Sequence, residues 1–81
     1  MYKTISARAS NGMDALVRVT NTLRRKEFVI RELVMTEVQI GGYSDLVITI
    51  EEASNLGIEQ AIMQLRKIIN VYEIKEYEVK N

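Results

Sequence analysis

The apolar residues of this chain change their spacing along its length, and they do so twice in the same sense. They recur at every second residue, then every third or fourth, then every second again. A spacing of two lines one side of a strand, and a spacing of three to four lines one stripe of a helix. Residues 2–9 read as a strand, with Ile5 and Ala7 on one side and Thr4, Ser6 and Arg8 on the other. Residues 12–26 read as a helix with the stripe Leu16, Val19, Thr20 and Leu23. Residues 28–36 read as a second strand. Its apolar pattern slips by one residue, from Phe28 and Ile30 to Leu33 and Met35. The slip implies either a bulge near Arg31-Glu32 or a strand apolar on both faces. Residues 45–51 alternate cleanly, with Leu46, Ile48 and Ile50 against Val47 and Thr49. A second helix runs from a cap at Ser54 or Asn55 to about Ile69, with the stripe Ile58, Ala61, Ile62, Leu65, Ile68 and Ile69. Asn70 is placed to end it. Val71 to Val79 reads as a last strand, whose Lys and Glu residues suit a sheet edge.

The breaks between segments are Ser10-Asn11-Gly12, Gly41-Gly42 and Ala53-Ser54-Asn55, and Pro is absent. The resulting order, β-α-β-β-α-β, is the ferredoxin-like split arrangement. It predicts one α+β domain over residues 1–81, a four-stranded antiparallel sheet with both helices on one face. The other face would carry Thr4, Ser6, Arg8, Val47 and Thr49.

Composition narrows the chemistry. With 81 residues, 47% hydrophobic and 27% charged, the chain has the makings of one small globular domain. Cys and His are absent, so there is no disulfide, thiol nucleophile or imidazole base. The 11 basic and 11 acidic residues cancel, which argues against a nucleic-acid partner. The aromatics are four Tyr and Phe28, and none lies in strand 45–51, where an RNA-binding version of this fold stacks bases. No apolar run is long enough to span a membrane. The N-terminus MYKTIS lacks the apolar core of a signal peptide, so the expectation is a cytoplasmic protein.

Three features carry chemical interest. The turn from Ser10 to Asp14 reads as a helix start with Asn11 at the N-cap and Asp14 near the positive end of the helix dipole. It is either a plain cap or a set of backbone N–H groups open to a carboxylate. Arg24-Arg25-Lys26 is either a solvated helix end or a grip for phosphate or an acidic partner. Glu51-Glu52 point to opposite faces as strand neighbours and make a poor metal site. No nucleophile-base pair, phosphate loop or dinucleotide fingerprint is present.

The run Asn11, Ala15-Leu16, Arg18-Val19, Leu23, Arg25, Phe28, Ile30 and Leu33, followed by QLRKIINVYEI from Gln64 to Ile74, resembles the acetohydroxyacid (acetolactate) synthase small-subunit family. The resemblance covers about residues 3–76 and implies an ACT domain of the short, single-domain form. It implies a regulatory subunit without catalytic residues, metal or cofactor of its own. Such a subunit forms a homodimer and activates a separate thiamine-diphosphate-dependent acetolactate synthase catalytic subunit in branched-chain amino-acid biosynthesis. It also implies a small amino-acid effector held at a dimer interface, with Asn11, Gly12 and Ile30 as effector-binding residues. Two positions depart from the family pattern: Asp14 stands where the family has Gly, and Val29 where it has Asn. A carboxylate and a Cβ at 14 would repel and crowd an effector carboxylate, so weak or absent valine feedback is expected. The alternative is a free-standing ACT-type amino-acid-binding module with another partner. A small enzyme on this fold is a third reading, and the missing His, Cys and clustered carboxylates count against it.

Overall fold

The computed structural model describes residues 1–77. In chain order the elements are β1 (Tyr2–Ala9), α1 (Gly12–Arg25), β2 (Val29–Val38), β3 (Tyr43–Glu51), α2 (Ile58–Leu65) and β4 (Val71–Glu76). The strands form one sheet in the order β2-β3-β1-β4, and every pair is antiparallel. This is the expected ferredoxin-like arrangement.

The core follows from the period-2 pattern. β1 and β3 pair without a break from Tyr2↔Glu51 to Ala9↔Ser44, which sets Ile5 opposite Ile48 and Ala7 opposite Leu46. Ile5, Ala7, Ala9, Leu46, Ile48 and Ile50 are all buried, and they form one cluster with the buried residues of both helices. In α1 those residues are Ala15, Val19 and Leu23. The buried stripe therefore keeps Val19 and Leu23 and has Ala15 in place of Leu16 and Thr20. Leu16 packs at its margin, and Thr20 is half-buried with its hydroxyl donating to the Leu16 carbonyl at 2.7 Å.

Asn11 occupies the N-cap position of α1 but does not cap it through its side chain. Its backbone is left-handed, φ 57° and ψ 60°, whereas a capping side chain needs an extended backbone beneath it. Its Nδ2 instead donates to Asp14 Oδ2 at 2.9 Å. The other end of α1 closes in a Schellman motif. Phe28 N–H donates to the Leu23 carbonyl and Glu27 N–H to the Arg24 carbonyl, both at 2.9 Å. Glu27 takes the left-handed position, φ 70°, and Phe28 turns into the core beside Leu23.

The one-residue slip in β2 is a bulge. The pairing with β3 shifts between Ile30 and Glu32, leaving Arg31 as the extra residue. Phe28 and Ile30 before it, and Leu33 and Met35 after it, thereby all pack on the same core. Strands β2 and β3 meet in a hairpin closed by Gly42 N–H to the Val38 carbonyl, with Gly42 at φ 68°. That pairing carries β3 back to Tyr43, two residues earlier than its alternation suggested.

The second helix is shorter than its apolar stripe implied. Ser54 and Asn55 do not cap it. They lie in a tight turn closed by reciprocal backbone bonds between Ala53 and Leu56. The N-cap is Gly57, and two side chains serve the helix start. Glu52 Oε2 accepts from Ile58 N–H at 3.0 Å, and Gln60 Oε1 accepts from Gly57 N–H at 3.1 Å. After Leu65 the chain tightens, with Lys67 N–H on the Gln64 carbonyl and Ile68 N–H on the Leu65 carbonyl. The helical phase is lost there: Ile68 turns into the core, whereas Ile69 is 90% exposed. Strand β4 is an edge, as its charged residues suggested. It ends at Glu76, with one more backbone bond from Tyr77 N–H to the Thr4 carbonyl. The remainder of the expected strand, to Val79, lies outside the described residues.

Candidate functional site

The end of the sheet where β1 gives way to α1 holds a pocket of about 410 Å³. Asn11, Gly12 and Met13 form one wall. Met35, Glu37 and Val38 at the end of β2, and Tyr43 and Ser44 at the start of β3, form the other. The antiparallel pairing brings these walls together, since Ser44 lies between Ala9 on one side and Glu37 on the other.

Gly12 is required by this approach. A Cβ built on it would stand 2.5 Å from Ser44 Oγ and 3.1 Å from Met35 Sδ. The first turn of α1 is thus pressed against β3 through a residue with no side chain. The backbone N–H groups of Gly12, Met13 and Asp14 have no carbonyl four residues back in the helix. No side chain caps them, and Ala15 is the first to donate into the helix, to the Asn11 carbonyl at 3.1 Å. Donors of this kind, at the positive end of a helix dipole, suit a carboxylate.

Beside the pocket, the Arg8 guanidinium lies 4.6 Å from the centre of the Tyr43 ring and pairs with Asp45 and Glu73 at 3.7 and 3.1 Å. This arrangement fixes the Tyr43 ring at the mouth of the pocket.

The three residues assigned to effector binding do not meet within the chain. Asn11 and Gly12 line the pocket. Ile30 lies at the other end of β2, opposite Ile50 and about 20 Å away along the strand at about 3.3 Å per residue. Val29 is beside it and exposed. Asp14 is exposed and outside the pocket lining, tied to the Asn11 amide. The tight approach expected at position 14 falls instead at Gly12. Glu37, Tyr43 and Ser44 were not singled out by sequence. They join the site only through strand pairing, and the local signal for it is the Gly41-Gly42 turn that precedes two of them. Among the described residues, no three His, Cys, Asp or Glu side chains are grouped to hold a metal ion. Among the described residues no helix is long and apolar enough to cross a membrane.

A four-stranded antiparallel sheet with two helices and a pocket at its first strand-to-helix turn defines a small α+β domain of the ferredoxin-like class. A model of the ACT domain matches residues 11–74, and the chain belongs to the ACT-domain family. No curated protein matches the chain in sequence. Among solved structures, the small subunit of acetolactate synthase from Thermotoga maritima is similar, with a TM-score of 0.81 at 25% identity. That alignment covers 94% of this chain and 47% of the other, so the chain spans about half the length of that subunit. The ACT domain of GTP pyrophosphokinase from Chlorobium tepidum superposes with a TM-score of 0.77 at 14% identity, covering 95% and 97% of the two chains. An uncharacterized protein of Thermotoga maritima, TM1266, gives 0.71 at 15% identity over 98% and 96%. The last two show the fold alone.

Proposed function

We propose that this chain is the regulatory subunit of an acetolactate synthase, acting on a separate catalytic subunit as a homodimer. The observation that carries the reading is the position of the pocket beside β2, one of the two strands that end the sheet. The similarity to the Thermotoga maritima small subunit supports the choice of enzyme.

β2 has ten residues and no Pro, with Val29 and Val34 exposed. Such an edge invites pairing with a second copy. A two-fold antiparallel pairing centred on Val34 sets Ile30 of one protomer opposite Val38 of its partner. Val38 lines the pocket. The dimer therefore assembles the effector site that one protomer leaves open, joining Asn11 and Gly12 to Ile30 across the interface. An amino-acid carboxylate meets the free N–H groups of α1, and its side chain meets the apolar residues of the two β2 strands.

Valine binding is weak in this reading. Glu37 lines the pocket, and Asp14 takes up one N–H of the Asn11 amide. A further carboxylate at about 5 Å in a water-like dielectric adds about 1 kcal/mol of repulsion. That is roughly fivefold in affinity.

The test is acetolactate formation by the catalytic subunit, with and without this chain. A rate that rises to a plateau as this chain is titrated is expected, and a flat rate would sink the reading. Calorimetry with valine should give weak binding, and Asp14→Gly, which frees the Asn11 amide, should tighten it. Tight valine binding by the natural chain, unchanged in the variant, would remove the argument from Asp14. If the chain binds an amino acid yet leaves the synthase rate flat, the free-standing sensor stands in its place.

A further inference from the structure

The net charge of zero conceals an uneven distribution. The helical layer, residues 12–27 and 57–70, holds Arg18, Arg24, Arg25, Lys26, Arg66 and Lys67 against only Asp14, Glu27 and Glu59. Among the described residues the ion pairs are Lys3–Glu76, Arg8–Asp45, Arg8–Glu73 and Arg31–Glu51, all within the sheet. The helical cations join none of them.

Three of those cations surround one groove. Arg18, Arg25 and Lys67 line a depression of about 440 Å³ between α1 and the turn from α2 to β4, with Asn21, Gln64 and Ile69 between them. No carboxylate lines it. The helix dipole accounts for Arg25 and Lys67, which lie at or just past helix ends. It accounts neither for Arg18 in the middle of α1 nor for an isoleucine left 90% exposed beside three cations.

We infer that this groove docks an acidic segment of a partner protein that also carries an aliphatic side chain, the carboxylates facing Arg18, Arg25 and Lys67 and the aliphatic group covering Ile69. Charge complementarity selects the occupant. A lone phosphate has no use for the exposed isoleucine, and the lining offers no aromatic on which a nucleic-acid base could stack. A second copy of this layer would bring cations against cations. The groove lies in the helical layer and β2 is a sheet edge, so both surfaces can be occupied together. The inference rests on the reading of the chain as a regulatory subunit with a protein partner, and it names the surface that partner meets.

The test uses the natural chain, labelled with ¹⁵N, and three probes. One is the peptide acetyl-Glu-Glu-Leu-Glu-Asp-Ile-Glu-Glu-amide. The second is the same peptide with Leu and Ile replaced by Ser, and the third is inorganic tripolyphosphate. The first peptide should shift amides in residues 18–25 and 64–69, and should weaken as salt rises. Arg18→Glu with Arg25→Glu should lower its affinity at least about fivefold, in line with two or more lost surface ion pairs. Ile69→Ser should lower it with the charges intact, and Lys75→Gln on β4 should not. Binding that ignores the double variant, or that does not distinguish the Ser peptide, would overturn the inference. Tripolyphosphate that moves the same amides more tightly than the peptide would overturn it in favour of a small-anion site. The titration is independent of synthase activity, so its failure is separable from a flat synthase rate.

Discussion

Glu27 has φ 70°, a conformation in which an L side chain costs about 1–2 kcal/mol. It is held there because the Schellman motif needs a left-handed residue between Lys26 and Phe28. Gly adopts that conformation freely but loses about 0.5–1 kcal/mol more on ordering. Glu27→Gly should therefore raise stability by about 0.5–1 kcal/mol, read as a higher urea midpoint at unchanged slope. A lower midpoint would mean that the Glu27 side chain contributes something its exposed position does not reveal. Gly12 is constrained in the opposite way, by space rather than by φ. Gly12→Ala should cost about 1–3 kcal/mol, because the new methyl must displace Ser44 or Met35. Combined with Ser44→Ala, which removes the oxygen at 2.5 Å, it should recover part of that loss. Strictly additive costs in the double variant would show that the methyl clashes elsewhere.

At the scale of elements, β2 depends on a single extra residue. The side chain of Arg31 donates to Glu51 at 2.8 Å and lies 5.9 Å from the centre of the Tyr2 ring. The hydrogen bond and charge of Glu51, with a smaller contribution from Tyr2, hold the Arg31 guanidinium above its ordinary pKa. The pair is exposed, however, and surface pairs contribute little. The backbone of Arg31 matters more, because it keeps Ile30 and Leu33 on one face. Arg31→Ala should leave stability nearly unchanged. Deletion of Arg31 should instead leave the chain largely unfolded. Removing one residue sends either Phe28 and Ile30 or Leu33 and Met35 to the wrong side of the sheet. Circular dichroism and urea titration of the two variants check this. A deletion variant as stable as Arg31→Ala would show that the register can be recovered without the bulge. The second helix teaches a related lesson. Its start is set by Glu52, whose carboxylate reaches over the intervening turn to the Ile58 N–H, rather than by the nearest Ser or Asn.

At the scale of the whole molecule, one sheet and one helical layer give principal extents of 39 × 33 × 17 Å. A chain of this size has a total stability of about 4–12 kcal/mol. Its broad faces are large beside its core, and a second copy along β2 would lengthen the sheet without disturbing the packing. The proposed dimer is tested by Val34→Lys, since pairing centred on Val34 would set two lysines opposite each other. Sedimentation equilibrium should show a dimer for the natural chain at micromolar concentration, and at least about a tenfold weaker one for the variant. A 9.3 kDa species alone for the natural chain would refute the dimer.

The six elements, their order and the slip in β2 were legible in the sequence because each is set by near neighbours, and the pairing with β3 decided that the slip is a bulge rather than a strand apolar on both faces. The alternation of Leu46, Ile48 and Ile50 and the spacing of Ala61 and Leu65 are local periodicities, and the slip between Ile30 and Leu33 is their interruption. The resemblance to the small-subunit family was also local, in the runs around Asn11 and Gln64. Other features depend on residues far apart in the chain. Glu52 as the partner of Ile58, Ser44 as the neighbour of Gly12, and the pocket between the starts of α1 and β3 follow from strand pairing. Ile69 continues the apolar spacing of α2 and yet is exposed, because the chain tightens after Leu65 and the periodicity no longer reports direction. The sequence by itself determined which segments are strands and helices and which of their sides is apolar, since those follow from local backbone geometry and side-chain spacing. Only the tertiary structure decided which ends meet, that β2 is the second edge of the sheet and which cations of the described residues stay unpartnered, because those depend on pairing and packing between segments distant in the chain.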